Sequence, residues 1–307
     1  MAEQHPKVVA LGGGHGLAVA LTAIRTYAHT ITAVVSVADD GGSSGRLRRD
    51  LQLPAPGDVR KCLVALAEPG NVWADAFEHR FEGGELSGHA LGNVVLAGLT
   101  ETLGDFGAAV DEAARVLGAV GRVVPATTEP VVLKAHVDTE LAQGRPVEGQ
   151  VAVMNVAGRI RRVELIPPDA PAHPDALTAI ASADQVVLAP GSLFTSALPV
   201  LAVAALRDAV AATPARVVQV SNLGTQVPET DGLDATDHLR AVIEHGARVD
   251  QFLYSPDALA CDEAAIRDLG AEPVAADVSE PPHLAHDPAR LATALRSLLE
   301  SGGRPEA

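Results

Sequence analysis

A βαβ unit in the first forty residues constrains the fold most strongly. A short apolar run at residues 8–11 stops at a glycine-rich segment, residues 12–16. Residues 17–27 then carry apolar side chains at helical spacing, and a second β-branched run follows at residues 31–37. Because a strand–helix–strand crossover is right-handed and joins parallel strands, this unit predicts an α/β fold around a parallel sheet.

The rest of the chain continues this alternation, with one change of character in the middle. Helices are predicted at residues 58–67, 72–81, 89–102, 106–120, 196–212, 235–246, 262–269 and 289–300. Further buried strands are predicted at residues 186–189, 217–220, 252–254 and 273–275. Short strands at residues 123–125, 131–137, 149–153 and 162–166 predict a small antiparallel insert at about residues 122–168. We therefore expect one α/β domain over residues 1–307, mostly parallel, with this insert.

Charge and composition exclude several classes of function. The chain has 23 Lys and Arg against 39 Asp and Glu, a net charge of −16, and only 3% aromatic residues. Such a field repels polyanions, and few rings are available to stack on bases, so nucleic acid is not an expected partner. Two cysteines, Cys62 and Cys261, exclude a disulfide framework and a cysteine-only zinc site, and they fit a reducing compartment.

No segment predicts insertion into a membrane. The first residues lack a basic region before an apolar stretch. The most apolar passage, residues 185–206, is interrupted by Pro190, Gly191 and Pro199, whereas a spanning helix needs about 20 mostly apolar residues. This passage predicts a buried strand, a turn and a core helix, and the expected location of the protein is the cytoplasm.

The glycine-rich segment after the first strand is the first candidate binding site. It consists of Gly12, Gly13, Gly14, His15 and Gly16. Glycines allow close approach of a ligand, and the amides at the start of the following helix favour an anion. Leu17 stands where the dinucleotide fingerprint needs its third glycine, and no P-loop lysine follows. The segment therefore favours a phosphate or nucleotide site over a plain tight turn.

A second candidate site follows the second strand and should lie at the same sheet edge. Asp39 and Asp40 could hold a ribose hydroxyl or Mg²⁺. Ser43 and Ser44, flanked by glycines, could cradle a phosphate that Arg46 or the arginines at positions 48 and 49 neutralise. A solvated turn leading into a basic helix start is the alternative.

Two predicted helix starts carry further candidates. Asp58 is either a plain N-cap or a carboxylate directed towards Asp39 and Asp40 as a metal ligand or acid/base group. His89 and Asn93 are four residues apart and so share a helix face. A single histidine is often structural, so the pair is equally compatible with a binding role and a structural one.

Two segments that follow later strands complete the set. Gly191, Ser192 and Thr195 lie between a strand and a helix, where amides again favour a phosphate. Asn222, Thr225 and Gln226 follow the next strand and suit recognition of a base or a sugar.

These motifs, in this order, resemble the YvcK group of the YvcK/CofD-like family. The quoted segments are GGGHGL at 12–17, SVADDGGSSGRLR at 36–48, PGD at 56–58, LSGHALGN at 86–93 and PGSLFTS at 190–196. They continue with TQ at 225–226, ETDG at 229–232 and DHL at 237–239. The resemblance spans nearly the whole chain and weakens after about residue 254. Two departures, His15 for a usual threonine and Lys61 for a common asparagine, concern the details of phosphate contact.

The resemblance implies a Rossmann-like fold, with helices on both faces of the sheet, and two functional branches. YvcK proteins are cytoplasmic gluconeogenesis factors that bind UDP-sugars such as UDP-N-acetylglucosamine, require no cofactor, and support cell shape and growth on gluconeogenic carbon sources. CofD enzymes use Mg²⁺ to transfer a 2-phospho-L-lactyl group from a nucleoside-diphosphate-linked donor to a deazaflavin. The SSGRLR and PGD segments place this sequence with YvcK.

The leading hypothesis is a nucleotide-sugar-binding regulatory protein without established turnover. Its diphosphate would lie over residues 12–16 and 192–196, and the uridine or sugar would meet Asn222, Thr225 and Gln226. The alternative is a Mg²⁺-dependent transferase in which Asp39, Asp40 and Asp58 hold the metal. An NAD-linked oxidoreductase is disfavoured by the broken fingerprint. An alanine-rich helical surface would permit a homodimer, and the sequence identifies no protein partner in cell-wall synthesis.

Overall fold

The computed structural model describes residues 5–282 and 285–301. Its strands, in chain order, are β1 Lys7–Gly12, β2 Thr30–Val35, β3 Arg122–Pro125, β4 Val132–Asp138, β5 Arg145–Glu148, β6 Arg159–Ile166, β7 Gln185–Leu188, β8 Arg216–Val220, β9 Gln251–Tyr254, β10 Glu272–Ala275, β11 Ser279–Glu280 and β12 Ala285–His286. Seven of them form one parallel sheet in the order β10-β9-β8-β7-β1-β2-β3. The strands are apolar in continuous runs because helices cover both faces.

The helices alternate with these strands as the Rossmann-like pattern requires. They are α1 Gly14–Ile24, α2 Gly42–Leu51, α3 Gly57–Leu66, α4 Val72–Glu78, α5 Leu91–Leu103, α6 Phe106–Leu117, α7 Gln150–Met154, α8 Pro174–Ala181, α9 Leu198–Leu201, α10 Ala204–Ala212, α11 Ala235–Glu244, α12 Glu263–Asp268 and α13 Pro288–Ser301. A π-helical turn, Leu193–Ala197, precedes α9 directly. The predicted fold class is confirmed.

The strand order reverses between β1 and β7. β1 pairs with β2 on one side and with β7 on the other, and the chain builds the sheet outwards from this point in both directions. In open α/β sheets, ligands bind in the crevice at the carboxyl ends of the strands where the order reverses. The segments that follow β1 and β7 therefore define where the candidate site lies.

The insert is an antiparallel sheet in the order β5-β4-β6. Two predictions about it were wrong in detail. The strand at 123–125 is β3, which pairs with β2 at the edge of the main sheet. Residues 149–153 were predicted as a strand, but α7 begins at Gln150, because Gly149 has a φ of +95° and the Asp40 carboxylate accepts the Val151 amide at 2.9 Å.

Two helical predictions also need correction. No helix was predicted at residues 42–51, but this segment forms α2, and a Cβ at Gly45 would overlap the Asp40 carbonyl oxygen. Serine and glycine disfavour helices locally, so tertiary contact decides the conformation here.

The helix predicted at 196–212 is broken, and Leu193–Leu201 meets Ala204–Ala212 at 76°. Within the described residues no single helix is long and apolar enough to cross a membrane. The two helices of this bent pair reach the length and apolar composition of a membrane span only when they are taken together.

Candidate functional site

The segments that follow β1 and β7 are packed against each other. A Cβ at Gly16 would overlap the Pro190 carbonyl oxygen, so only glycine fits there. A Cβ at Gly12 would lie 3.4 Å from the Ala189 Cβ. The structure thus brings the first and fourth predicted motifs together at the reversal of strand order.

The amino end of α1 is open. Its N-cap, Gly13, offers no side chain, its first turn contains no acidic residue, and the amides of residues 14–16 donate to no side chain in the described part of the chain. Gly14 has a φ of +65°, and the Ser196 hydroxyl would be 3.7 Å from its Cβ. His15 is exposed on the same turn. Unpaired amides and the positive end of the helix dipole favour an anion here.

The amino end of α2 lies near the first opening and is also uncapped by a side chain. Its N-cap is Gly41, whose amide donates to the Asp39 Oδ1 at 2.9 Å. Ser43 and Ser44 are buried in the first turn. The Arg46 Nη2 donates to the Ser87 carbonyl at 2.9 Å, while its buried Nε has no hydrogen-bond partner among the described residues. The second motif therefore forms the first turn of a helix, and its two serines are buried rather than placed in a solvated turn.

A buried polar chain connects this helix start to α5. The Ser43 Oγ lies 3.0 Å from the His89 Nδ1 and accepts a hydrogen bond from the Asn93 Nδ2 at 3.1 Å. The Arg60 Nε donates to the Asn93 Oδ1 at 3.1 Å, and Arg60 forms an ion pair with Glu78. Burial and the charge of Arg46 lower the pKa of His89, which keeps the ring neutral. Sequence reasoning missed Arg60, because nothing local distinguishes it from a surface arginine.

Two carboxylates lie beneath the open helix ends. The Asp58 Oδ2 would be 2.7 Å from a Cβ at Gly13, and its Oδ1 accepts the Lys61 Nζ at 3.0 Å. Burial raises the pKa of Asp39; the hydrogen bond from Gly41 opposes this shift, and the charge of Asp58 adds to it. Asp58 makes no N-cap hydrogen bond, since the cap position of α3 is Pro56, so the plain-cap interpretation is wrong.

The third predicted metal ligand is directed elsewhere. Asp40 accepts the Val151 amide at the start of α7. Among the described residues, no three His, Cys, Asp or Glu side chains converge as a metal site. Asp39 lies beside Gly57, the residue before Asp58, and the charge of Asp58 raises the pKa of Asp39, so the two carboxylates are neighbours. Mg²⁺ is often held by one or two carboxylates together with substrate phosphates, so the chemistry of this pair fits such an ion.

The amino end of the π-helical turn, in contrast, is closed. Glu229 is buried, and its carboxylate accepts the Phe194 amide at 2.8 Å, the Thr195 amide at 3.2 Å and the Thr195 hydroxyl at 3.0 Å. Burial raises the pKa of Glu229, and these three hydrogen bonds oppose the shift. The Thr195 carbonyl accepts the Gln150 Nε2 of α7 at 3.0 Å. The donors that Thr195 was expected to offer a phosphate are therefore engaged within the chain.

The three residues expected to meet a base or sugar differ in their surroundings. Asn222 binds the backbone of Gly191 in both directions, with its Oδ1 accepting the amide at 2.9 Å and its Nδ2 donating to the carbonyl at 2.7 Å. Ser192 begins the π-helical turn as its N-cap. Thr225 and Gln226 have exposed side chains. Asn222 thus holds the segment after β7 in place, while the other two remain accessible.

This fold and site define a Rossmann-like protein whose first helix begins, without a side-chain cap, where the strand order reverses. A family model described as 2-phospho-L-lactate transferase CofD matches residues 8–294. The chain belongs to this family and, within it, to the YvcK-like group of gluconeogenesis factors.

Relatives and a solved structure support this membership. The "Gluconeogenesis factor" of Halalkalibacterium halodurans is 46% identical over 239 residues, which cover 78% of this chain and 73% of the relative. That of Bacillus subtilis is 43% identical and covers 79% and 75% respectively. A crystal structure of a UPF0052 family member from Bacillus halodurans superposes with a TM-score of 0.91 at 38% identity, and covers 96% of this chain and 100% of that one.

Proposed function

We propose that this protein is a regulatory protein that binds a nucleotide sugar of the UDP-N-acetylglucosamine type. The observation that carries the proposal is the open amino end of α1, where the amides of residues 14–16 donate to no side chain within residues 5–282 and 285–301. A diphosphate would accept hydrogen bonds from these amides and benefit from the helix dipole. The names of the relatives, "Gluconeogenesis factor", support a role in growth on gluconeogenic carbon sources. A role in cell shape and a cytoplasmic location are further parts of the proposal.

The diphosphate would use α1 and α2 rather than both glycine motifs. Glu229 already satisfies the Phe194 and Thr195 amides, so these donors are not available to a phosphate. The start of α2, which no side chain caps, supplies the second set of donors through its backbone amides. The hydroxyls of Ser43 and Ser44 already bond to side chains of the protein. Arg46, whose buried Nε has no partner among the described residues, would contribute positive charge.

One observation favours a second candidate function, a Mg²⁺-dependent enzyme resembling 2-phospho-L-lactate transferase. Asp39 and Asp58 lie together below the glycine segment, and the charge of Asp58 raises the pKa of Asp39. A bound Mg²⁺ would stabilise negative charge on a transferring phosphoryl group. In that case these two carboxylates would hold the ion, while Lys61 would balance the charge of Asp58.

Calorimetric titration with UDP-N-acetylglucosamine, UDP, GTP, NAD and a guanosine diphosphate-linked donor, with and without Mg²⁺, tests both functions. For a sensor we expect Mg²⁺-independent binding of the UDP-sugar, with the ligand recovered intact. The Gly14→Val variant should then lose more than tenfold in affinity, which corresponds to about 1.4 kcal/mol. Consumption of a guanosine diphosphate-linked donor only with Mg²⁺ would instead support the enzyme. Unchanged UDP-sugar affinity in Gly14→Val would contradict the assignment of the anion site.

If the ion is required, Asp58→Asn should abolish any Mg²⁺ dependence of binding. The matched control is Asp40→Asn, which alters the carboxylate that contacts α7 rather than the pair. A Mg²⁺ dependence that survives in Asp58→Asn would exclude Asp58 as a ligand.

A further inference from the structure

The first turn of α3 lies against both open helix starts. The Asp58 Oδ2 in this turn would be 2.7 Å from a Cβ at Gly13, the N-cap of α1. A Cβ at Gly57, the first residue of α3, would overlap the Ser44 hydroxyl in the first turn of α2. α3 also packs along α1. The position of α3 therefore sets how the amides of the two starts lie relative to each other.

Arg60 connects α3 to α2 through hydrogen bonds. It is only 1% exposed, and a guanidinium buried to this degree needs partners for its donors. Its Nη1 forms an ion pair with Glu78 and donates to the Phe77 carbonyl at 3.3 Å. Its Nε donates to the Asn93 Oδ1 at 3.1 Å, and the Asn93 Nδ2 donates to the Ser43 Oγ at 3.1 Å. A continuous chain of hydrogen bonds thus runs from α3 through α5 to the first turn of α2.

The direction of each hydrogen bond in this chain follows from its donors. A guanidinium only donates, so the Asn93 oxygen faces Arg60, and the Asn93 nitrogen, which also only donates, faces Ser43. The Ser43 Oγ is an acceptor in this bond, and its own proton needs another acceptor because Ser43 is buried. In the part of the chain that the structure describes, that acceptor is the His89 Nδ1, at 3.0 Å. The proton of the neutral ring then lies on Nε2.

We propose that Arg60 is a positioning residue of the anion site. Acting through Asn93 and Ser43, it holds the first turn of α2 in place beside that of α1 and keeps the His89 ring proton on Nε2. Arg60 acts here at a distance from the ligand, since donors that are already ordered bind an anion more tightly than donors that must be ordered on binding. This inference rests on the proposed function, because it concerns the helix starts that would bind the diphosphate.

Nuclear magnetic resonance of the imidazole nitrogens tests the hydrogen-bond chain in the free protein at about pH 8.5, where histidine is neutral. We expect the His89 proton on Nε2 in wild type. In Asn93→Asp the carboxylate accepts from both Arg60 and Ser43, so the Ser43 Oγ must accept from the ring and the proton should move to Nδ1. The His89→Gln variant identifies the signal. A proton that stays on Nε2 in Asn93→Asp would contradict the chain.

Asn71 provides a matched control, because it makes the same number of side-chain hydrogen bonds away from this chain. Its Oδ1 accepts the Trp73 amide at 2.9 Å, and its Nδ2 donates to the Val116 carbonyl at 3.1 Å. Asn71→Asp should leave the His89 proton on Nε2. Asn71→Ala removes two hydrogen bonds, as Asn93→Ala does, and should lower the melting temperature.

Calorimetry with UDP tests the positioning role. Asn93→Ala releases the first turn of α2, and we expect about a tenfold loss of UDP affinity, comparable to one hydrogen bond to a charged group. Asn71→Ala should keep UDP affinity within twofold of wild type. A purely structural role of Asn93 would instead give both variants a lower melting temperature and unchanged affinity, and would overturn the proposal.

A double-mutant cycle shows whether Arg60 acts through Asn93. Arg60→Met keeps an unbranched side chain in the same space, and the unpaired Glu78 is half-exposed to water. We expect Arg60→Met to lower UDP affinity, and the double variant with Asn93→Ala to lose no more than the larger single loss. Losses that add, or wild-type affinity in both single variants, would overturn the role of Arg60. If Arg60→Met does not fold, the comparison of Asn93→Ala with Asn71→Ala decides.

The proposed function fails separately from this inference. Failure of wild type to bind UDP or the UDP-sugar would overturn the proposed function. The measurement on the ring nitrogens needs no ligand and would then decide the hydrogen-bond chain alone.

Discussion

The segments that follow β1 and β7 look alike in sequence but differ in what their helix starts offer. Both connect a buried parallel strand to a helix through glycine, and neither helix has a side-chain cap of its own. The amides of the π-helical turn are occupied by Glu229, from 35 residues further along the chain, whereas those of α1 donate to no side chain in the described region. Availability of a helix start is therefore decided by distant residues and not by the local motif.

The two segments consequently have different tasks. Glu229 and Asn222 hold the segment after β7 by side-chain hydrogen bonds to its backbone. That segment supports the glycine segment after β1, where the amides of residues 14–16 have no side-chain acceptor in the part of the chain that the structure describes. Functional sites need such support, because the groups that contact a ligand are held in position by the residues that pack against them.

The largest expected effect comes from the contact between the two segments. In Gly16→Ala, the new Cβ would overlap the Pro190 carbonyl oxygen, so one backbone must shift. We expect a loss of roughly 3 kcal/mol of unfolding free energy, the upper range for overpacking. Urea denaturation measures it. The control is Gly98→Ala in α5, where no atom lies within 4 Å and about 1 kcal/mol of stabilisation is expected. Similar values for both variants would show that the two segments are not in tight contact.

Removal of the internal anion should make the closed helix start resemble the open one. Glu229→Ala leaves two amides and the Thr195 hydroxyl without acceptors, at an expected cost of about 2–3 kcal/mol. Sulfate should raise the melting temperature of this variant more than that of wild type, because the vacated amides can bind it. Glu229→Gln, which keeps an acceptor oxygen, should lose less stability and gain less from sulfate. An identical sulfate response in all three proteins would contradict this account.

A smaller effect is expected from the second support of the closed segment. Asn222→Ala removes both hydrogen bonds to Gly191, which should cost about 1–2 kcal/mol of stability. Because Asn222 acts on the backbone and not on the ligand, UDP affinity should fall no more than a few-fold. Thermal denaturation and calorimetry measure the two quantities. A tenfold loss of affinity without loss of stability would instead indicate that Asn222 contacts the ligand.

The smallest effect concerns the carboxylate pair below the open segment. Since burial raises the pKa of Asp39 above its unfolded value, the native state favours the protonated form, and ionisation at neutral pH destabilises the fold. Asp39→Asn removes the buried charge and should therefore raise the free energy of unfolding at pH 7. The net gain should be about 1 kcal/mol or less, because asparagine accepts weaker hydrogen bonds than the carboxylate does. The gain should shrink as the pH falls towards the range in which Asp39 is protonated in wild type. Melting temperatures at pH 7 and pH 5 check the sign, and a gain that grows at pH 5 would contradict it.

Most of the main sheet was predictable from the sequence, because the relevant signals are local. Buried parallel strands are continuous apolar runs, and the helix at Phe106–Leu117 shows strong apolar periodicity and an Asp N-cap. The edge strand β3 was assigned to the wrong sheet, because a four-residue strand carries no information about its partner. The start of α2 was missed, because glycine and serine disfavour a helix that tertiary contacts nevertheless impose.

The sequence by itself determined the βαβ start, the alternation of strands and helices, and the positions of the glycine segments and carboxylates at strand ends. These follow from periodicity and from the rule that parallel strands share one carboxyl edge. Only the tertiary structure decided which helix start stays open and that the Asp40 carboxylate bonds to α7 while Asp39 lies near the charge of Asp58. It also decided that Arg60 is buried and bonded to Asn93. Such choices depend on contacts between residues far apart in the chain, and local propensity carries no information about them.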